Sequence, residues 1–323
     1  MMKLDNMVIG LTGDAAAASL LECWEHSEGS LKFCRASSNF VYVFENRGER
    51  FYLRFSFEME RQEEQIRAEL DFLAYLQNQH YPIAAPVLSL NGKVLEKVHA
   101  SEGMYYGVVF RSAAGVVLED DLTAEQCWTW GRSLASLHQL SQAYRPSSVP
   151  RVSWKDILQE IDVILKRHPK EREAAAELRQ LNDWLMTLPI TEQNYGLIHY
   201  DFQLDNVFYE ADTRSFEIID FDDAVYSWYV QDIVNAIDDV VGDELGLEHP
   251  HAQAFLEGYG SILPLGGDKL SQFTDFRRFM NLQKFSSLLR SLEGCGDDVP
   301  EWVQEIKVKF VRVMDRMRRG FAL

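Results

Sequence analysis

The sequence predicts an α+β protein of two lobes, a small five-stranded antiparallel sheet with one helix followed by a larger, mostly helical lobe. Three observations carry that expectation. From Leu31 to Arg111 apolar and polar residues alternate with the period of strands. After Gly115 the apolar residues recur at helical spacing. The stretch LIHYDFQLDNVFYE (197–210), together with SFEIIDFDDA (215–224), interrupts the helical part once. With 323 residues, 46% hydrophobic and 12% aromatic, the chain can bury a core large enough for two units. We expect them to divide at 1–111 and 112–323.

LKFCRAS reads as a first strand, and NFVYVFENRGERFYLRF as two more, folded about Asn46, Arg47 and Gly48. RQEEQIRAELDFLAYLQNQ is a helix, with Ile66, Leu70, Leu73 and Leu76 at helical spacing and an end before Pro82. PVLSLNGKVLEKV predicts a hairpin turning at Asn91-Gly92, and MYYGVVF a further strand, making about five in all. Thr123 is an N-cap for a helix that carries Trp130, Leu134, Leu137 and His138 on one side. More helices are expected at about 154–168, 171–187, 229–241, 251–259, 269–292 and 300–318.

The formal net charge is -18, and between Thr191 and Gly260 there are sixteen Asp or Glu against one basic residue, Arg214. Such a field repels nucleic acid and anionic membranes and attracts cations, whether metal ions or amines; most of these acids read as a solvated face. Cys23, Cys34, Cys127 and Cys295 are widely spaced with no CxxC or Cys/His pattern, so a reducing, cytoplasmic setting is expected, without disulfides or structural zinc. The apolar run Ala15 to Leu21 is short and follows Asp14, which argues against a signal peptide. No run is long enough to span a membrane.

His199, Asp201 and Asn206 form H-x-D-x-x-x-x-N, and Asp220 follows in IIDFD at the end of an apolar strand. Two carboxylates and an amide at neighbouring strand ends can share one site. Phosphoryl transfer needs a carboxylate to orient and deprotonate the attacking hydroxyl, and oxygen ligands to hold magnesium on the nucleotide phosphates. Asp201 suits the first task, and Asn206 with Asp220 the second.

HYDFQLDN, IIDFDDA and YVQDIVN together resemble the aminoglycoside phosphotransferase and choline kinase family, whose fold is like that of protein kinases. The resemblance extends over about residues 15 to 290 and includes the small lobe and a hinge at FRSAAG. It implies Asp201 as catalytic base, His199 as organiser of its loop, Asn206 and Asp220 as Mg2+ ligands, and Asp232 as a structural acceptor for the catalytic loop. For the nucleotide, ATP or GTP, it implies Ser37, Ser38 and Asn39 in the turn between the first strands, and Arg111 and Ala113 at the hinge. Phosphate binding further needs a cation on a strand and an acid to position it. Arg54 in FYLRFS and Glu69 near the apolar side of the first long helix fit that pair.

Several positions depart from the kinase pattern. Arg54 stands where protein kinases have lysine, and the turn ASSNF has no glycine. Tyr200 stands where the family commonly has glycine. Asp222 and Asp223 follow Asp220-Phe221, where a second acid either helps to hold the metal or caps the next turn.

No long activation segment separates Asp220 from Asp232, so the expected acceptor is a small molecule. Asp238, Asp239, Asp243 and Glu244, with Tyr226, Trp228 and Tyr229 nearby, offer either a site for an amine or ordinary packing and solvation. The expected function is a kinase for a hydroxyl of a small molecule, with an amine-bearing one such as an amino sugar, an amino alcohol or homoserine in view. Two alternatives stand beside it. One is a catalytically silent, kinase-like binding protein; the other is a Ser/Thr protein kinase of the same family.

Overall fold

A computed structural model describes residues 1–323 except 12–14, 119–121, 148, 242–245, 266–270, 297 and 322–323. Two short helices, α1 (Leu4–Gly10) and α2 (Ala15–Leu21), open the chain. No element is expected here from the sequence; α2 puts Ala16, Ala17, Leu20 and Leu21 into the core behind the sheet.

The sheet then runs β1 (Lys32–Ala36), β2 (Phe40–Asn46) and β3 (Glu49–Phe57). Asn46 pairs with Glu49, and the loop residues Arg47 and Gly48 both have positive φ (52° and 83°), the turn that matches strand twist. Helix α3 (Glu63–Asn78) follows, then β4 (Pro86–Val87), β5 (Glu96–Ala100) and β6 (Gly103–Arg111). All six strands are antiparallel, in the order β1-β2-β3-β6-β4 with β5 also on β6. The turn at Asn91-Gly92 forms, with Gly92 at φ 70° and Ser89 N–H donating to Lys93 O at 2.7 Å. It does not make the expected hairpin. β4 and β5 lie one after the other along the same edge of β6, and the hairpin partner of β5 is β6, through Ala100 and Gly103.

The chain continues through β7 (Val116–Val117), α4 (Ala124–Ala143), α5 (Trp154–Arg167) and α6 (Arg172–Leu185). Thr123 caps α4 by accepting from Gln126 N–H at 3.2 Å. Four short strands come next: β8 (Tyr195–Ile198), β9 (Val207–Glu210), β10 (Ser215–Ile218) and β11 (Val225–Trp228). β8 pairs with β11, and β9 with β10 and β7. Helices α7 (Tyr229–Val241), α8 (Pro250–Gly260), α9 (Phe273–Leu292) and α10 (Glu301–Phe321) complete the fold.

Packing positions the site in two ways. One apolar core joins Phe72, Leu73 and Leu76 of α3 to Trp130, Leu134, Phe202, Ile218 and Phe221, so the helix on the Arg54 face of the sheet and the loops beneath it are one packed body. Ala84 N–H also donates to Ile218 O at 3.1 Å, pinning the segment before β4 to β10. Behind the sheet, Phe40, Tyr42, Phe55 and Tyr105 share a core with Val303 of α10, so the C-terminal helix returns to the small sheet. Among the described residues no helix is long and apolar enough to cross a membrane.

Candidate active site

The strand pairs set the spacing of the polar residues. β8 ends at Ile198 opposite Val225, and β9 begins at Val207 opposite Ile218. Asp201 therefore follows the end of one strand, Asn206 precedes the next, and Asp220 sits two residues past β10. Ile219 N–H donates to Asn206 O at 3.0 Å, tying the two loops together.

Asp232, fully buried in the first turn of α7, holds the loop that carries Asp201. Its oxygens accept from His199 N–H at 2.8 Å and Tyr200 N–H at 2.7 Å, and lie 3.1 Å from His138 Nε2. Asn235 Nδ2 donates to Tyr200 O. These bonds hold Tyr200 at φ 74°, a left-handed conformation that costs a non-glycine residue about 1–2 kcal/mol. The position needs that backbone, which glycine adopts freely and which tyrosine holds only with this bracing.

His199 Nδ1 accepts from Asp201 N–H at 3.3 Å, so Nε2 carries the proton and donates to Ile219 O at 2.9 Å. Burial keeps this imidazole's pKa below its ordinary value, although Asp232 opposes the shift. Neutral and braced on both nitrogens, His199 joins the Asp201 loop to the Asp220 loop.

Asp201 Oδ2 accepts from Asn206 Nδ2 at 2.9 Å, and the same amide nitrogen bonds Asp201 O at 3.0 Å. Burial, with Asp223, Asp205 and Asp222 nearby, pushes the Asp201 carboxyl up to about 7. With its nitrogen so engaged, Asn206 leaves Oδ1 buried and without a hydrogen-bond partner. An orphaned carbonyl oxygen beside a carboxylate suits a hard cation. Asn206 and Asp220 line one cavity of about 260 Å3 together with Asp201, Ser37, Ser38 and Asn39. Among the described residues no three His, Cys, Asp or Glu side chains group to hold an ion alone. An ion here would take its other oxygens from phosphates and water.

Two guanidinium groups flank Asp220. Arg54, on β3, gives both Glu69 oxygens a bond of 2.7 Å from Nη2 and reaches Asp220 Oδ1 from Nη1 at 3.2 Å. Glu69 is 1% exposed, so its carboxylate depends on that fork. Arg35, on β1, donates to Asp220 Oδ2 at 2.8 Å. Burial and the neighbouring Asp222 push the Asp220 pKa above its ordinary value, with Arg54 and Arg35 opposing. Burial also works against ionisation of Asp222, but Arg61 and Arg54 outweigh it and hold that acid low.

Asp222 has a structural partner set. Its Oδ2 accepts from Asn39 Nδ2 and from Arg61 Nη2 at 2.8 Å, linking the turn after β1, the loop before α3 and the loop after β10. Asn39 is thereby engaged on both sides, since its Oδ1 accepts from Ser56 Oγ at 2.6 Å. Its side chain braces the turn, while Ser37 and Ser38 line the cavity. Arg151 reinforces the brace, donating to Ala224 O at 2.7 Å, to Gln65 O at 2.9 Å and to Asp222 O. Sequence reasoning missed Arg35, Arg61 and Arg151. None stands in a motif, and each acts through partners far away in the chain.

A second, largely apolar cleft of about 250 Å3 opens beside the first, between Val41, Leu73, Ala84, Phe110, Phe208 and Ile218. Arg111 and Ala113 stand at its edge. The Arg111 guanidinium is turned to Ile83 O and Glu217, and Glu217 also accepts from Ala114 N–H at 2.7 Å, so this pair fixes the hinge. A third, polar cleft of about 330 Å3 lies on the other side, sharing Ser38, Asp222 and Asp223 with the central cavity. Of the two readings of the region after β10, an amine site or ordinary packing, the aromatics fit packing. Trp228 and Tyr229 are buried in core packing, and Asp238 is paired with Arg277. The Asp239 side chain, Asp243 and Glu244 lie outside the described residues.

Comparisons with known proteins place the chain in a family. The family described as "Phosphotransferase enzyme family" matches residues 31–265. Amicoumacin kinase of Bacillus subtilis is 26% identical over 288 residues, 85% of each chain. An uncharacterized Synechocystis protein is 29% identical over 231 residues, 70% of this chain, which spans 63% of that protein's length. A homoserine kinase of Rhizobium etli is 26% identical over 170 residues, 51% of this chain and 52% of that one. Among solved structures, an amicoumacin kinase in complex with AMP-PNP and Ca2+ superposes with a TM-score of 0.79 at 19% identity, covering 96% of this chain and 94% of the other. A microcompartment-associated aminopropanol kinase superposes at 0.71 and 23% identity, covering 95% of each. With the match covering well over half of its length, the chain belongs to the phosphotransferase enzyme family.

Proposed function

We propose that the protein is a kinase that transfers the γ-phosphoryl group of ATP (or GTP) to a hydroxyl of a small, amine-bearing molecule. One observation carries the reading. Three cavities lie in a row, an apolar cleft, a cavity holding Asp201, Asn206 and Asp220, and a polar cleft, and each neighbouring pair shares wall residues. That order suits base, phosphates and acceptor.

In this reading residues 1–111 form the nucleotide-binding lobe and 112–323 the catalytic and substrate lobe. The base lies in the apolar cleft against the Ala113 backbone, and Ser37 and Ser38 face the phosphates. Arg54, fixed by Glu69, supplies positive charge from the sheet. Asn206 and Asp220 hold Mg2+, which when bound neutralises charge on the phosphates. Asp201 orients the acceptor hydroxyl and takes its proton; a carboxyl pushed up toward 7 is a better base than an ordinary aspartate. The nucleotide complex of the amicoumacin kinase structure supports a nucleotide and a divalent ion.

The polar cleft supports the amine. Its five acids, Glu60, Glu64, Glu160, Asp222 and Asp223, outnumber its three arginines: Arg61 is paired with Asp222 and Asp223, Arg290 with Glu60, and Arg151 is turned to backbone carbonyls. Glu64 and Glu160 line the same cleft, are exposed, and have no ionic partner among the described residues. The cleft therefore keeps uncompensated negative charge. The relatives named for amicoumacin, homoserine and aminopropanol also support a small-molecule acceptor.

A screen of amino alcohols, amino sugars and aminoglycosides for nucleotide consumption with Mg2+ tests the reading. We expect consumption to depend on one of these acceptors and on Asp201. Nucleotide binding with no turnover on any of them would favour the silent relative, and turnover on protein substrates alone would favour a protein kinase.

A further inference from the structure

Arg35 lies in the catalytic cleft because of an irregularity in the sheet. Along β1 the pairing with β2 runs Lys32 to Val43 and Phe33 to Tyr42, then slips by one, so that Arg35 pairs with Val41 and Ala36 with Phe40. Cys34 is the extra residue of a β-bulge. The consequence follows from the two-residue period of strands. In unbroken register Arg35 would stand opposite Phe40, whose ring is stacked on Phe55 in the core behind the sheet. The slip moves it opposite Val41, and Val41 pairs with Arg54. Arg35, Val41 and Arg54 thus form one row across the cleft face.

The two arginines in that row are held differently. Arg54 is buried and fixed by the two bonds to Glu69. Arg35 has a side chain 43% exposed, and Asp220 is its one ionic partner among the described residues. It also borders both the apolar cleft and the central cavity. The neighbouring turn, Ala36 to Asn39, has no glycine to bring successive backbone N–H groups onto a phosphate, and its Asn39 side chain is engaged by Ser56 and Asp222. Beyond the Ser37 and Ser38 hydroxyls the turn therefore has few donors at the place where a kinase needs them.

We propose that Arg35 is the phosphate-gripping residue of the turn, exchanging its bond to Asp220 for the β- and γ-phosphate oxygens of the bound nucleotide. A guanidinium has five donors in a planar fork, so it replaces several amides at once. Its release from Asp220 also frees a carboxylate oxygen for the ion that accompanies the nucleotide. Arg54 cannot make this exchange without leaving Glu69 buried and unpaired.

The proposal rests on the kinase reading, and binding separates the two. Calorimetric titrations with adenosine and with AMP-PNP, each with Mg2+, are made on the wild type, Arg35→Met and Arg35→Lys. Met keeps the side-chain length without the charge, and Lys keeps the charge without the fork. We expect Arg35→Met to weaken AMP-PNP binding by about tenfold to a hundredfold, the effect of losing charge-assisted bonds, with adenosine affinity unchanged and Lys intermediate. An equal loss for both ligands would make Arg35 a wall of the base cleft, and no loss for AMP-PNP would leave it only a partner of Asp220; either overturns the proposal. A wild type that binds adenosine but gains nothing from the phosphates would instead sink the kinase reading.

Discussion

Two loops meet at the centre of this protein, and they are built in opposite ways. The catalytic loop after β8 is held mostly through its backbone: Asp232 takes two successive N–H groups, Asn235 donates to Tyr200 O, and His199 bridges to Ile219 O. The turn after β1 has two backbone bonds, Ser37 N–H to Asn39 O and Met2 N–H to Ser37 O, and is otherwise held through side chains, with Asn39 on Ser56 and Asp222, and Arg35 on Asp220. The first loop keeps one conformation even at a left-handed residue. The second is anchored at Asn39 and leaves Arg35 half exposed. The difference suits the tasks proposed for them, since a base must be placed to a fraction of an ångström while a phosphate grip must open and close.

The largest effect is expected from Asp201→Asn. Turnover should fall by about a hundredfold to ten-thousandfold while nucleotide affinity stays near the wild-type value, because the loss falls on the acceptor's proton. Equal turnover in the variant would remove Asp201 as base. A parallel loss of nucleotide affinity would mean that the loop itself had moved.

Asp232→Ala tests the loop's bracing directly. It leaves the N–H groups of His199 and Tyr200 buried without an acceptor, at about 1–3 kcal/mol each, and leaves Tyr200 in a strained conformation with less to hold it. A stability loss of about 3 kcal/mol in urea unfolding is expected. A loss below about 1 kcal/mol would show that water or a rearranged loop satisfies both groups. Asn39→Ala provides the contrast, since it removes side-chain bonds and no backbone support.

These two loops also show what could be read from the sequence. Phosphoryl transfer needs particular residue types between two strands, so H-x-D-x-x-x-x-N and the later Asp220 were visible as spacing between apolar flanks. Arg54 and Glu69 were visible because one alternates in a strand and the other lies near the apolar side of a helix. Arg35 was not visible. Strand periodicity puts it on the core side, and only the bulge at Cys34 reverses that. Arg61 and Arg151 were hidden for a related reason, because Arg61 reaches partners at 222 and 223 and Arg151 those at 65, 222 and 224. The second hairpin failed at a different level. Asn91-Gly92 makes its turn, but β6 offers a free edge to both flanking segments, and they pair with it instead of with each other.

The Arg54 and Glu69 pair stands between the two loops in size of effect. Glu69→Gln keeps the volume and weakens the fork, and the specificity constant for ATP should fall by about tenfold to a hundredfold, about 1.4 to 2.7 kcal/mol. Combined with Arg54→Met it should be scarcely worse than either single change, because the two residues act as one unit. Strict additivity of the losses would show that they work separately.

The smallest expected effect is a pH dependence of stability that belongs to the catalytic loop alone. Burial lowers the pKa of His199 below the ordinary histidine value, although Asp232 works against it. The unfolded chain takes up a proton as the pH falls through about 6.5, while the folded protein resists it. The contribution of His199 is therefore fully present above that pH and is lost as the pH falls from there toward the folded value, with a slope of at most about 1.4 kcal/mol per pH unit. Other histidines and the carboxylates add their own slopes, so the comparison is between the wild type and His199→Gln, whose side chain does not titrate. Urea midpoints measured from pH 7.5 down to 5.5 should show the variant destabilised throughout, with the gap narrowing as the solution becomes acidic. A constant gap would mean that His199 is protonated equally in the folded and unfolded chains. In that case the bond from Asp201 N–H would be lost as the pH falls below about 6.5, since a protonated ring has no acceptor to offer Asp201.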